Sequence, residues 1–311
     1  MSRKKKNIVI QLNNRVNELL QIGQKKVKEQ PGGEHYNPNR APGIHSVKTA
    51  DTYRRVINQL GEYCKSRGVR DVSDINHETI AGFMASRSSE SSWTASKDLS
   101  AINKVLGTHY TPKEFGFARR TQEAVVHNRG ILTDNSTRAL PLNADALHFA
   151  RATGCRRQSI LLATPAQAIR SEDGTVIGFH LREKGGRVRD ALVLPSERGW
   201  LTSFVNDREA ERGVYGTLID HCDSHCNPHY DRGTYAQEMY AAMVEARDNG
   251  TDIYMGHRDT FINDEALEKA LCTSPYHGDT AHGYDKHICA ELSQQLGHNR
   301  IDVVVRSYLK K

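Results

Sequence analysis

The chain has 311 residues, of which 37% are hydrophobic and 26% charged, and its net charge at pH 7 is +6. This length is enough for two domains, and no apolar run approaches the roughly 20 residues that cross a bilayer. The basic start, MSRKKKNIVIQL, lacks the apolar core of a signal peptide. The positive excess fits a protein that meets phosphate over part of its surface, without proving it.

Residues 1–110 have the apolar spacing of α-helices. The first such run begins at Ile8 and continues at helical spacing to Val27. The loop QPGGEHYNPNRAPG follows it, rich in residues that end regular structure. Three further helices are predicted over 53–64, 76–87 and 95–106, with Thr49 as a cap and with Gly68 and Gly107 at two of the ends. We therefore predict an all-helical N-terminal unit.

Basic residues continue beyond this unit into a connecting stretch with weak periodicity, 111–143, and we place the domain boundary in that stretch, between 120 and 121. Residues 1–45 form the N-terminal helix and loop of the first domain. The basic residues that we select as candidate DNA contacts are Arg54, Arg55, Lys97, Lys104, Arg119, Arg120 and, in the second domain, Arg157. For any one of them, an ordinary solvated side chain is an equal alternative.

The second domain, 121–311, has a change of period. A helix through Leu147 precedes the short run 176–181 and the alternation of Val188, Asp190, Leu192 and Leu194. Together these predict a small antiparallel meander with turns at 173–174 and 185–186. Helices are predicted again over 196–212 and 228–247. The polar segment 248–284 is interpreted as a surface insertion that buries little area.

The last sixteen residues, LGHNRIDVVVRSYLKK, predict an amphipathic helix with Ile301, Val304, Val305 and Tyr308 on one face. Tyr308 could be a core residue of that face. It could also be a nucleophile on a short, weakly anchored terminal element.

Five short motifs follow one another in the second domain: TGCRR, REKGG, HYDRGTYA, QLGHNR and the terminal SYL. In this order they resemble the tyrosine recombinase (phage integrase) family, with the greatest likeness to integrases of proteobacterial prophages and integrative elements. The resemblance covers about 140–311 well, and 45–110 only as a similar arrangement of helices. It implies an α+β fold with an all-helical, SAM-like core-binding domain and a mixed catalytic domain around a small antiparallel sheet. Together the two domains would clamp duplex DNA.

The resemblance also implies which residues act. The candidate catalytic residues are Arg156, Lys184, His229, Arg232, His298 and Tyr308. Two guanidinium groups would neutralise the charge that builds on an attacked phosphodiester. Tyr308 would be the nucleophile, His229 would take its proton, Lys184 would protonate the leaving 5′-oxygen, and His298 would bind the phosphate. Taken singly, each of these residues has an ordinary structural explanation; their order favours the family.

Some positions depart from the family pattern. Gly233 stands where many relatives have a second His, and Ser159 stands where an acidic residue often supports the first Arg. What orients Arg156 is therefore open. His298 and Tyr308 are ten residues apart, one more than is usual, and 66 residues separate Arg232 from His298 because of the segment 248–284.

The six cysteines are dispersed, which predicts reduced thiols. One pair, Cys222 and Cys226 in HCDSHCNPH, has a spacing that would permit zinc, with histidines of 248–284 as further ligands. A metal on His229 would conflict with its role as a base. We therefore expect neither a metal nor another cofactor.

The implied partners are double-stranded DNA attachment sites, a homotetramer on DNA, DNA-bending accessory proteins and a directionality factor, and no membrane. The implied location is the bacterial cytoplasm, with the nucleoid as the place of action. The main hypothesis is a metal-independent recombinase that works through a 3′-phosphotyrosyl link. Two alternatives are open: a catalytically inactive DNA-binding relative that acts as a regulator, and a type IB topoisomerase-like enzyme.

Overall fold

The computed structural model describes residues 7–25, 27, 41–121, 137–183 and 188–309. The chain divides into two compact units, Met1–Ala124 and Val125–Lys311. Within the described ranges, no helix combines the length and apolar character needed to cross a bilayer. All six cysteines are free thiols.

In the first unit, every regular element of the described residues is helical. The α-helices are α1 (Ile8–Glu18), α2 (Val47–Ser66), α3 (His77–Ala85) and α4 (Ser92–Leu106). They share one apolar core, in which Leu12 and Val16 of α1 lie with Leu60 of α2. Gly61 permits the close approach of α1 and α2, because a Cβ at this position would lie 2.8 Å from Cγ2 of Val9.

The helix ends follow local capping chemistry. The Ser46 hydroxyl accepts a hydrogen bond from the Thr49 amide at 3.1 Å, so Ser46 is the cap of α2, and the prediction of Thr49 was wrong. Asn76 caps α3 in the same way, and Gly107 ends α4 in the left-handed conformation.

The first helix is shorter than its apolar spacing predicts. It ends at Glu18, and Leu20 forms a parallel bridge with Ile44. The Ile44 amide donates to the carbonyl of Leu19 at 2.7 Å, so these apolar residues are fixed by backbone pairing and not by a further helical turn.

The second unit combines helices with a small antiparallel sheet, as predicted. Its helices are α5 (Ala144–Thr153), α6 (Arg157–Leu161), α7 (Arg198–Arg212), α8 (Pro228–Asn249), α9 (Arg258–Phe261), α10 (Asp264–Cys272), α11 (Lys286–Gln295) and α12 (Ile301–Val304). The strands β1 (Ala168–Arg170), β2 (Val176–Arg182) and β3 (Val188–Leu192) form a sheet in sequence order, and β4 (Thr280–Ala281) pairs with β5 (Tyr284–Asp285).

Two apolar clusters hold this unit together. One contains Phe149 of α5, Phe179 of β2 and Leu201 of α7. The other contains Tyr235 of α8 and Leu292 of α11, together with α12 and the segment that follows it. The motifs HYDRGTYA, QLGHNR and SYL each contribute a residue to the second cluster: Tyr235, Leu296 and Tyr308.

The segment 248–284 is not the poorly buried surface excursion that its composition predicts. Tyr254, Phe261 and Leu267 are all at most 5% exposed and lie in the same apolar cluster as α8 and α11. The Phe261 ring lies against β2, where a Cβ on Gly178 would be 2.3 Å from it. The segment has few apolar residues, but several of them point inward.

The end of the described chain is docked and not weakly anchored. A single π-helical turn, Val305–Leu309, follows α12, and Tyr308 is only 3% exposed. The Tyr308 carbonyl accepts from Nε2 of Gln237 at 3.1 Å, and the Leu309 carbonyl accepts from the hydroxyl of Tyr284 at 2.6 Å. The predicted apolar face of this tail is therefore buried and also hydrogen-bonded.

Replacement of Gly154 by Ala should destabilise the second unit. Gly154 ends α5 at φ +60°, and a Cβ there would lie 2.4 Å from the buried ring of Tyr235. We expect the free energy of unfolding to fall by about 2–5 kcal/mol, from backbone strain and overpacking together. Urea unfolding measures this value.

Gly174→Ala is the matched control, because Gly174 has φ +85° and nothing within 4 Å of its added Cβ. Backbone strain alone should cost about 1–2 kcal/mol there. Equal losses in the two variants would contradict a steric role of Tyr235 against Gly154.

Candidate active site

The Tyr308 hydroxyl lies between two of the predicted site residues. It accepts a hydrogen bond from Nε of Arg232 at 3.1 Å, and it lies 3.2 Å from Nε2 of His298. Nη2 of Arg232 is 3.3 Å from the same His298 nitrogen. Arg232, His298 and Tyr308 therefore form one cluster, although the chain separates Arg232 from the other two by more than sixty residues.

The Arg232 guanidinium is fully buried at the first turn of α8. Its Nη1 donates to the carbonyl of Gly154, and its Nη2 donates to the carbonyl of Leu296. Burial lowers the pKa of Arg232, and the Tyr308 oxygen partly opposes that effect. The nearby charges of Arg189 and Arg156 also lower this pKa, so the carbonyl and hydroxyl acceptors are what stabilise this buried cation.

The two glycine motifs supply the carbonyls that hold Arg232. In TGCRR, Gly154 turns the chain at the end of α5, and in QLGHNR, Gly297 at φ +65° turns it after α11. Left-handed conformations of this kind favour glycine. The two motifs therefore contain Arg156 and His298, and the carbonyl groups of their turns also accept hydrogen bonds from Arg232.

Arg156 is joined to a carboxylate that was not predicted as part of the site. Its Nη1 donates to Oε2 of Glu183, which directly follows β2. The other carboxylate oxygen accepts from Nε of Arg189 on β3 at 3.0 Å. Arg189 also donates to the carbonyl of Gly154 at 3.3 Å and to the carbonyl of Gln295.

Glu183 stays ionised in this environment. Its burial acts to raise the pKa, but the charges of Arg189, Arg156 and Arg232 outweigh that effect and hold the pKa below its usual value. Through Glu183, Arg189 and the Gly154 carbonyl, a continuous series of polar contacts connects Arg156 to Arg232.

The signal for Arg189 was present in the sequence. The sequence interpretation followed the alternation of Val188, Asp190 and Leu192, whereas the structure buries Arg189 and Ala191 and leaves Val188 exposed. An arginine in phase with inward-facing strand residues needs an acidic partner, and Glu183 is the nearest acidic residue before it.

The remaining predicted catalytic residues have different positions. His229 is exposed on the first turn of α8, three residues before the buried Arg232. Lys184 lies outside the described residues, as does the predicted turn at 185–186. Arg156 is the accessible arginine of the series, with 26% of its side chain exposed.

Two other arginines fix the loop that leads into α8. Arg157 donates to the carbonyl of Cys222 at 2.5 Å and to that of Asp223 at 3.1 Å. Arg138 forms a two-pronged contact with the carboxylate of Asp231, at 2.5 and 2.9 Å. The guanidinium of Arg157, which was predicted to contact DNA, is thus engaged in holding the backbone of its own unit.

The candidate DNA contacts of the helical unit divide by exposure. Arg55, Lys97, Arg119 and Arg120 are exposed, while Arg54 and Lys104 are partly buried. Arg54 donates to Asn17 at 2.9 Å, and Lys104 donates to the carbonyl of Pro42 at 3.2 Å. Arg54 and Lys104 therefore connect segments of their own unit.

Arg120 has an aromatic partner. Its guanidinium carbon lies 4.9 Å from the ring centroid of Trp93, which is 44% exposed. Arg120 also lines a cavity of about 620 Å³ with Lys113, Phe117 and Arg119. The lining of this cavity in the first unit therefore includes both basic and apolar side chains.

No family model matches the chain, and a search of curated proteins finds no match. Solved structures do resemble it. One is the XerH site-specific recombinase bound to difH substrate in a pre-cleavage complex, at 13% identity and a TM-score of 0.48, which covers 88% of this chain and 98% of that one. Another is the XerA recombinase, at 14% identity and a TM-score of 0.23, with 75% and 94% covered. Both scores are below 0.5, so the chemistry of the site has to be inferred from its own residues.

The cysteine pair of the sequence analysis lies in the loop before α8. Cys222 and Cys226 are 3% and 4% exposed and belong to the apolar cluster of α5 and β2. Among the described residues, no group of three or more His, Cys, Asp or Glu side chains is arranged to hold a metal ion. The thiols of Cys222 and Cys226 are therefore described as core residues.

Alkylation should distinguish the buried thiols from the exposed one. Burial raises the pKa of the buried thiols, to about 11 at Cys64 and Cys226 and about 12 at Cys155 and Cys289, and raises that of Cys222 as well. Since the thiolate is the nucleophile, iodoacetamide at pH 8 should modify the exposed Cys272 first. Peptide mass spectrometry before and after denaturation measures this order.

Cys272→Ser provides the control and should remain unlabelled until it is denatured. Rapid labelling of Cys222 or Cys226 in the native protein would contradict the description of these thiols as core residues.

Proposed function

We propose that the protein is a tyrosine-type site-specific DNA recombinase that cuts and rejoins strands through a phosphotyrosyl intermediate. One observation carries the proposal: the Tyr308 hydroxyl lies 3.1 Å from Nε of Arg232 and 3.2 Å from Nε2 of His298. A cation beside a hydroxyl favours the deprotonated oxygen, and a neutral imidazole can accept the proton.

The hydrogen-bond roles support His298 as the proton acceptor. A guanidinium has donors only, so the His298 nitrogen that faces Nη2 of Arg232 must present its lone pair. The same lone pair faces the Tyr308 hydroxyl, whose oxygen already accepts from Nε of Arg232. We therefore propose that His298 accepts the hydroxyl proton. The sequence interpretation gave this task to His229 and gave His298 the phosphate.

The proposed step is an in-line displacement at phosphorus. The Tyr308 oxygen forms a bond to phosphorus, its proton passes to His298, and the bond from phosphorus to the 5′-oxygen of DNA breaks. A tyrosine hydroxyl has a pKa of about 10 and needs this assistance near neutral pH. Lys184 is proposed to protonate the leaving 5′-oxygen. Attack by another 5′-hydroxyl reverses the step and rejoins the strand.

Arg156 is proposed to be the arginine that receives the phosphate first. It is a quarter exposed, whereas Arg232 is buried behind the tyrosine. The negative charge that develops on the non-bridging oxygens would be stabilised by the Arg156 fork, with Arg232 close to the attacking oxygen. None of these steps uses a metal ion or another cofactor.

Binding of double-stranded DNA is proposed to involve the exposed basic residues of the helical unit. The combination of Arg120 on Trp93 with neighbouring Lys113 and Arg119 supports this, because phosphate contacts supply most of the affinity of such proteins. A tetramer on DNA, accessory proteins and a directionality factor belong to the same proposal, as does function within a bacterial mobile element.

The inactive-regulator alternative is disfavoured by the site itself. A protein that only occupies DNA has no need of a tyrosine hydroxyl held against both a cation and a base. The topoisomerase-like alternative shares this chemistry and differs in its need for a defined site. Relaxation of a supercoiled plasmid without the site, with no recombination between two sites, would favour that alternative.

Tyr308→Phe should abolish covalent attachment to DNA. The substitution keeps the ring and removes the hydroxyl that accepts from Nε of Arg232, so the free energy of unfolding should fall by about 1–3 kcal/mol. The folded variant should bind DNA within about twofold of the wild type, since phosphate contacts dominate affinity. The assay uses nicked duplexes built from direct repeats that flank the coding region and detects an SDS-stable adduct.

Tyr215→Phe is the matched control, because Tyr215 is 83% exposed. It should form the adduct at the wild-type rate. An adduct that persists in Tyr308→Phe would show that another residue is the nucleophile.

A further inference from the structure

Arg156 needs a partner that holds its side chain in one orientation. Family relatives often have an acidic residue three positions after this arginine, but here the position is Ser159. Ser159 is 1% exposed, and its hydroxyl donates to the carbonyl of Arg182 at 3.1 Å. It therefore faces the end of β2 and brings no charge to Arg156.

Glu183, the next residue along that backbone, has the charge that Ser159 lacks. Its side chain is 2% exposed, and each carboxylate oxygen has its own arginine: Oε2 accepts from Arg156 and Oε1 from Arg189. Arg189 is 4% exposed at its side chain and is fixed in turn by the carbonyls of Gly154 and Gln295.

We propose that Glu183 is the residue that positions Arg156 for the scissile phosphate, with Arg189 as the support that holds Glu183. The proposal rests on the strand-cleavage function proposed above. The carboxylate comes from the end of β2, directly before Lys184 in the sequence, and not from the helix that follows Arg156. One residue would thus orient the arginine fork and anchor the start of the segment that carries the lysine.

The charges are consistent with an anion site. Arg156, Arg189 and Arg232 carry three positive charges, and Glu183 is the carboxylate within hydrogen-bond distance of the first two. A single carboxylate leaves an excess of positive charge for a phosphate to neutralise. Arg156 uses Nη1 for Glu183, so its fork can present its other donors to the anion.

Glu183→Gln tests the proposal by separating cleavage from binding. The amide provides no charge, and its single oxygen can accept from Arg156 or from Arg189, while its NH2 group cannot accept from the other. We expect the single-turnover rate of adduct formation at saturating DNA to fall about 100-fold, as when one transition-state donor is misplaced. DNA affinity should stay within about twofold, since other phosphate contacts remain.

Two carboxylate variants distinguish positioning from a structural role. Glu183→Asp keeps the charge and should retain a rate within about tenfold of the wild type, by the same scale of effects. Ser159→Asp in the Glu183→Gln background returns a carboxylate from the neighbouring helix and should recover at least about tenfold. If neither variant recovers the rate lost in Glu183→Gln, the positioning role is overturned.

Glu197→Gln is the matched control. Glu197 is also a largely buried carboxylate that binds two side chains, His148 at 2.7 Å and Arg151 at 3.8 Å, and it belongs to the same unit. Its loss should leave the cleavage rate unchanged. Equal loss of rate in Glu197→Gln and Glu183→Gln would overturn the proposal.

A second variant covers the case in which Glu183→Gln does not fold because Arg189 is left buried without its carboxylate. Glu183→Gln/Arg189→Gln removes both charges and keeps an amide pair. It should fold, as judged by thermal unfolding, and should cleave about 100-fold more slowly than the wild type.

The outcomes separate this proposal from the one it rests on. Absence of an adduct with the wild-type protein would overturn the proposed function. An active wild type, together with a folded Glu183→Gln or double variant that cleaves at the wild-type rate, would overturn only the role of Glu183.

Discussion

The buried guanidinium of Arg232 is the interaction on which the second unit depends. A cation in an apolar interior is costly unless its donors are all used. Here its acceptors come from distant parts of the chain: the carbonyls of Gly154 and Leu296, and the Tyr308 hydroxyl. The fold therefore needs these segments around one charge for its stability, and the same arrangement brings together Arg232, His298 and Tyr308, to which strand cleavage was assigned in the proposed function. A substitution at Arg232 would therefore disturb the fold and the chemistry together, whereas Tyr308→Phe removes one acceptor of Arg232 and keeps the two carbonyls.

In the structure without DNA, Tyr308 is docked against Arg232. Without DNA, the phenol oxygen satisfies Nε of Arg232, and the tail is held by Gln237 and Tyr284. A phosphate oxygen is a stronger acceptor for a guanidinium than a neutral hydroxyl is. Under the proposed function, a phosphodiester bound at Arg156 would compete with Tyr308 for the donors of Arg232, while Arg232 stays close to the attacking oxygen. The π-helical turn at Val305–Leu309 is a departure from regular helix of the kind that often occurs at functional sites.

The sequence predicted the elements whose signals are local. The helical spacing of α2 to α4, Gly107 as the end of α4, and the strand predicted over 176–181 depend on neighbouring residues, and those predictions agree with the structure. The contacts of Tyr308 with Arg232 and His298 agree with the motif order, although the interpretation of Tyr308 as a nucleophile placed it on a weakly anchored element. The inward phase of Arg189 on β3 could have been recognised in the sequence, but its connection to Arg156 through Glu183 could not. Their pairing with Arg156 depends on how a strand end meets a helix start, and no periodicity encodes that meeting.

The burial of 248–284 also has a consequence for the site. Gln295, which is fully buried at the end of α11, donates through Nε2 to the carbonyl of Phe261 at 2.8 Å. Its Oε1 accepts from the amide of Leu192 on β3 at 2.8 Å, and its carbonyl accepts from Arg189. One side chain thus connects the long segment, the sheet and the support of Glu183, directly before the turn that presents His298. The segment that lengthens the gap between Arg232 and His298 is therefore part of the structure that holds His298 in place, because the backbone of Phe261 is one of the groups that fix the end of α11.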